Sequence, residues 1–69
     1  MPGVSDMFLP VAMGIYHGLF IELKDGKNKT TPEQEAFLAE MVFRGYKAVV
    51  SHGADEAIAA IKEYMGWDK

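Results

Sequence analysis

Thr31-Pro32-Glu33-Gln34 fixes the start of a helix near the middle of the chain, and the other elements must be arranged around it. Thr31 suits the N-cap, where a side-chain oxygen accepts from a backbone N–H that has no partner in the first turn. Pro32 suits the first helical position, because the N–H it lacks is not needed there. Gln34 is spaced to reach back to the cap and complete a capping box. The helix is expected over 32–44, with Gly45 as the residue that ends it. Leu38, Met41 and Gly45 share one face, with Phe37 and Gln34 beside them. Ala36, Ala39 and Phe43 widen the apolar surface beyond a single stripe.

Strand signals stand on both sides of this helix. Residues 7–11 are apolar, and Pro10 marks an edge position or a strand end, since it cannot donate to a ladder. A turn-like stretch, Gly14-Ile15-Tyr16-His17-Gly18, leads into a second strand over 19–24. There Leu19, Ile21 and Leu23 point one way, and Phe20, Glu22 and Lys24 the other. Residues 25–30 form a polar loop with Gly26 and Asn28. After the helix, 46–51 reads as a strand, and Asp55 or Ser51 opens a last helix over 55–65 that Gly66 ends. Ala54, Ile58, Ile61 and Met65 share a face of it. The order strand-strand-helix-strand-helix predicts one α/β domain over 1–69, a mixed sheet with flanking helices.

Composition narrows the class. The chain has 69 residues, 49% of them hydrophobic, which is too apolar for a disordered segment. It has no cysteine, so neither a disulfide nor a thiolate-metal site can reinforce so small a core, and an oligomer is expected. No apolar run approaches the roughly 18 residues of a membrane span. The stretch 1–12 lacks a basic start and is interrupted by Asp6 and Pro10, which argues against a secretory signal and for a cytoplasmic location. The formal charge of −3 is a poor background for nucleic-acid binding. Its distribution qualifies that: Lys24, Lys27, Lys29, Arg44 and Lys47 cluster mid-chain, and Asp55, Glu56, Glu63 and Asp68 lie near the C-terminus.

Glu22-Leu23-Lys24 is where chemistry concentrates. Glu22 and Lys24 emerge on one face of a strand, about 7 Å apart. A hairpin centred near Gly14 sets Phe8 opposite Phe20 and Asp6 opposite Glu22. Two facing carboxylates repel, and a divalent cation reverses the sign of that interaction. Hard oxygen donors suit magnesium or manganese. An ammonium beside them can orient a water and stabilise developing charge, so Asp, Glu and Lys so placed suit metal-dependent phosphodiester cleavage. The bland alternative is a solvated strand face carrying a charge pair; on the metal reading, Glu22→Gln is expected to abolish cleavage and leave the fold intact, the carboxylate being taken as exposed.

Three segments together resemble a known family. Gly3-Val4-Ser5-Asp6-Met7-Phe8, then Tyr16-His17-Gly18-Leu19-Phe20-Ile21-Glu22-Leu23-Lys24, then Thr31-Pro32-Glu33-Gln34 is similar to the VRR-NUC domain, the virus-type replication-repair branch of the PD-(D/E)xK nucleases. The similarity runs over about 3–61. It implies a small restriction-endonuclease-like core and a Mg2+- or Mn2+-dependent endodeoxyribonuclease. By the same resemblance Asp6 and Glu22 bind the metal, Leu23 adds its backbone carbonyl, Lys24 helps activate the attacking water, and Gln34 belongs to the active-site motif. Standalone members resemble Holliday-junction resolvases, which implies branched DNA as substrate, a homodimer, and an intracellular protein of phage or bacterial origin. Two departures stand out: Ser5 replaces the family's proline, and the family's N-terminal helix with its further acid is not in this sequence.

Other residues keep two readings. Gln34 serves as the cap partner or faces the metal or a phosphate. Lys27, Asn28 and Lys29 contact backbone phosphates or belong to a solvated loop. His17 touches substrate or makes local hydrogen bonds in its turn. Tyr16, Tyr46 and Trp67 read as core or interface residues rather than stacking platforms. Beside the nuclease stand a weak or inactive nucleic-acid-binding or dimerisation domain that keeps the same fold, and a purely structural α/β module.

Overall fold

The computed structural model describes residues 6–25, 27 and 29–67. Gly26 and Asn28 of the polar loop, Ser5 before Asp6, and Asp68 lie outside the described residues. The elements follow the expected order: β1 (Met7–Leu9), β2 (Leu19–Leu23), α1 (Pro32–Phe43), β3 (Lys47–Ser51) and α2 (Ala54–Met65). They form a small α/β unit with a three-stranded mixed sheet in the order β1-β2-β3. β1 runs antiparallel to β2, and β3 runs parallel to it after the α1 crossover. Among the described residues no helix is long and apolar enough to cross a membrane.

The hairpin register decides which residues meet. Met13 and Tyr16 exchange backbone hydrogen bonds of 3.0 and 2.9 Å across Gly14-Ile15, with Gly14 at φ +58°. Carried straight down the ladder, that turn would set Asp6 opposite Leu23. Instead Met7 pairs with Ile21, Phe8 with Phe20 and Leu9 with Leu19. The β1 side therefore holds one residue more than the β2 side. Pro10 accounts for it: Val11 N–H donates to the Leu9 carbonyl at 2.9 Å, a three-residue turn around the proline. The expected pairing holds, although the turn is centred between Gly14 and Ile15 rather than on Gly14. The next pair down the ladder is Asp6 and Glu22. A one-residue slip would have turned one of them to the other face.

Side chains alternate across the sheet. Leu19 and Ile21 face α2 and form the core with Ala57 and Tyr64, flanked by Leu9, Leu23, Val49 and Ile61. Tyr64 ties α2 to the hairpin by donating from its hydroxyl to the Val11 carbonyl at 2.6 Å. Phe20 and Glu22 point to the opposite face, where α1 lies over β3.

α1 begins as expected, with Thr31 as N-cap and a complete capping box. It ends at Phe43 with Arg44 as C-cap, and Gly45 takes φ +95° while Tyr46 N–H reaches back to the Met41 carbonyl at 3.0 Å. α2 departs from expectation twice. Its N-cap is Gly53 at φ +129°, without a side-chain cap, because Ser51 is still paired in β3 and Asp55 already lies within the helix. Its buried face is Ala57 and Tyr64, with Ala60, Ile61 and Met65 half-buried, rather than a stripe through Ala54 and Ile58. Seating Tyr64 against Tyr16 and Val11 turns the helix that way. Ala54 and Ile58 instead flank an open apolar cleft of about 410 Å³ with Met7 and Leu23.

Candidate active site

Glu22 sits on the middle strand, and its residue is only 4% exposed. The solvated strand face expected as the bland reading of Glu-x-Lys is therefore wrong. β2 has a strand on each side, α2 on one face and, on the other, Phe37 of α1 against Phe20, so Glu22 is enclosed. Burial is the first cause that raises the Glu22 carboxyl above its ordinary range, and the facing Asp6 carboxylate is the second. Lys24 pulls the other way, with Nζ 3.6 Å from Glu22 Oε2. Asp6 itself is exposed, where β1 begins.

Lys24 reaches across the sheet edge to α1. Its Nζ donates to Gln34 Oε1, and its side chain is 11% exposed. The same Gln34 oxygen accepts the Thr31 backbone N–H at 2.9 Å, while Gln34 N–H donates to Thr31 Oγ1 at 3.1 Å. The cap reading of Gln34 holds, and the same amide oxygen also accepts from the lysine: the capping box aims the oxygen, and that oxygen holds Lys24. An ammonium has three donors, so Lys24 keeps one beyond those directed at Gln34 and Glu22.

Lys24, though bonded to Gln34, lines the apolar cleft with Met7 and Leu23, whereas Asp6, Glu22 and Gln34, with Glu33 and Phe37, line a cavity of about 290 Å³. Three of its five lining residues are acids, so an anionic phosphate could enter only together with a cation. The donor set fits one. Asp6 and Glu22 supply hard oxygens that repel each other when the site is empty of positive charge, and magnesium keeps several waters rather than requiring a full protein cage. Among the described residues no three His, Asp or Glu side chains converge tightly enough to hold an ion by themselves. Leu23 turns its side chain to the α2 side, where it packs against the core, so any part it takes here is through its carbonyl.

The other sequence candidates are not brought to this cavity. Lys27 and Lys29 are exposed in the loop between β2 and α1, and Asn28 lies outside the described residues. His17 lies at the other end of β2 from Glu22, about 16 Å away along the strand at ~3.3 Å per residue. Its ring meets Tyr46 edge-on at 5.6 Å and rests over Gly45, where a Cβ would come within 2.8 Å of it. Glu33 and Phe37 escaped the sequence reading. Their signal is their offset from Gln34: residues one before and three after it on a helix flank the same opening.

Comparison with family models, with curated proteins and with solved structures finds no match to this chain.

Proposed function

We propose that this chain is a metal-dependent nuclease with a restriction-endonuclease-like core, related to the VRR-NUC domain, that hydrolyses DNA phosphodiester bonds. The observation that carries the reading is the enclosed Glu22, facing Asp6 across the hairpin and flanked by a Lys24 whose ammonium is held by Gln34. A sheet interior does not keep such a group without compensation, and a divalent cation offers it. Asp6 and Glu22 would hold magnesium or manganese, with the Leu23 carbonyl as a further donor. The ion would supply Lewis acidity toward the scissile phosphate. Lys24 orients the attacking water with its remaining N–H and stabilises negative charge as it develops. Gln34 fixes that ammonium so that little reorganisation is needed during the reaction. Branched DNA is the proposed substrate, and a homodimer the proposed assembly.

A second reading has its own support. Lys24 finds both of its partners inside the chain, as a purely structural ion pair does. A fold-retaining, non-cleaving nucleic-acid-binding domain would look the same at that residue. Manganese titration separates the two when combined with a cleavage assay on a four-way junction. The nuclease reading expects manganese-dependent nicking and manganese binding that is lost in Asp6→Asn. Binding of DNA with no nicking under any divalent cation would overturn it in favour of the second.

A further inference from the structure

We infer that the aromatic side chains beside the acidic cavity form a stacking floor for unpaired nucleobases, so that the substrate is cut next to a single-stranded or splayed nucleotide. This rests on the nuclease reading of the same site and adds the class of substrate. Phe37 lines the cavity with Asp6 and Glu22 and is 49% exposed. Phe8 is 50% exposed on the same face, two residues along β1 from Asp6 and directly opposite Phe20. α1 lies over β3, which leaves this side of β1 open.

Both rings are held by other groups rather than loosely displayed. Phe37 meets Phe20 edge-on at 5.1 Å, and Phe20 is itself buried. Phe8 lies against Tyr46 at 5.8 Å, tilted by 55°. It also lies across Gly18, where an added Cβ would come within 3.3 Å of the ring and 2.9 Å of the Leu9 carbonyl oxygen. Glycine at that position lets the ring settle onto the sheet. A pre-ordered aromatic face gains stacking energy without paying for side-chain ordering.

A nucleobase is the occupant because of what adjoins the rings. The cavity at one end of the floor is acidic and would take a phosphate only with its cation, so a nucleotide seated there has its base beside Phe37. The next base along the strand reaches Phe8, since Asp6 and Phe8 are about 7 Å apart along β1. In a duplex the base faces are already covered by their neighbours, so only unpaired nucleotides can use the floor.

The test uses the full chain with calcium, which supplies the positive charge the acidic cavity needs but supports cleavage poorly beside magnesium, so that binding is read apart from cleavage. The probes are a single-stranded oligonucleotide carrying 2-aminopurine, whose fluorescence is quenched on stacking, and the same sequence as a blunt duplex. Quenching of the single strand and at least ten-fold tighter binding of it than of the duplex are expected. Phe37→Leu should weaken single-strand binding about ten-fold, and Phe37→Tyr should restore it. Phe8→Leu should act likewise, and equal melting temperatures confirm that the variants fold. Equal affinity for single strand and duplex, or unchanged quenching in Phe37→Leu and Phe8→Leu, overturns the floor. So does loss of self-association in Phe37→Leu, which would assign the rings to a second copy. Failure of the nuclease reading is seen separately, as absence of metal-dependent nicking in a protein that still quenches the probe.

Discussion

Glu22 is buried as an acid that would rather hold its proton, and that gives it a stability signature. Its carboxyl titrates higher in the fold than in the unfolded chain. Below its ordinary value of about 4.5 both states are protonated and the group costs nothing. As the pH rises past that value the unfolded chain releases the proton first, so the contribution to folding is lost progressively until the raised value is passed. In the metal-free protein, the melting temperature of wild type relative to Glu22→Gln should therefore fall as the pH is raised above about 4.5. A flat difference across that range would show that the carboxyl is not perturbed. The variant should fold because a neutral amide is easier to bury, not because the position is exposed, and it should abolish metal-dependent nicking. Lys24→Ala separates two roles of the lysine. If the ammonium acts in the transition state, kcat falls far more than DNA affinity. If it only contacts phosphate, affinity and its salt dependence fall while the saturated rate is kept. The Glu-x-Lys pair was legible in the sequence as a pair, but its burial was not. Burial of Glu22 follows from β2 being central and covered on both faces, which no tripeptide records.

At the scale of elements, the start of α1 carries unusual weight. α1 has no buried residue, so its hold on the fold comes from half-buried Leu38 and Met41, from Phe37 against Phe20, and from its ends. Thr31→Ala should cost about 1 kcal/mol by leaving the Gln34 N–H without its acceptor. Urea unfolding measures this, and Thr31→Ser should retain most of the stability. A larger loss would mean that Gln34, once released, also frees Lys24. The cap was readable because Thr31 and Gln34 are three residues apart and need no tertiary information. The register that sets Asp6 toward Glu22 is expected from a turn centred on Gly14, but the turn forms at Gly14-Ile15, and only the extra residue at Pro10, which the sequence does not announce, restores that register. The buried face of α2 was readable only in part: Ile61 and Met65 pack against the core as expected, but its centre is Ala57 and Tyr64. It depends on Tyr64 reaching Val11 across 53 positions of sequence. The Lys24–Gln34 contact was hidden for the same reason: a loop separates the two residues, and only the crossover brings α1 back over the lysine.

For the whole molecule, the question is how so few buried side chains hold the chain together. The buried hydrophobic residues described are Leu19, Phe20, Ile21, Ala57 and Tyr64. A core of that size without disulfide or cysteine-bound metal is marginal in a chain of 69 residues. Meanwhile Phe43 is 84% and Val42 57% exposed near the end of α1. Ala36, Ala39 and Phe43 are spaced to lie along one stripe of the helix, and all three are exposed. Small residues on that stripe let a second α1 approach closely, with Phe43 of each copy crossing onto the other. A two-fold contact is the commonest way to bury such a stripe. Phe43 lies six residues beyond Phe37, about 120° away around the helix, so this contact leaves the cavity and its aromatic rings open. Fully burying one phenylalanine side chain is worth about 1.5–3 kcal/mol, and the symmetric contact counts it twice. The expected protein is a dimer whose melting temperature falls on dilution. Phe43→Glu should give monomers or unfolded chain, seen by sedimentation and circular dichroism. A stable monomer at micromolar concentration, indifferent to that substitution, would remove the dimer. Each cut on a branched substrate would then have to be made by a separately bound copy, and nicking of the two strands should become uncoupled.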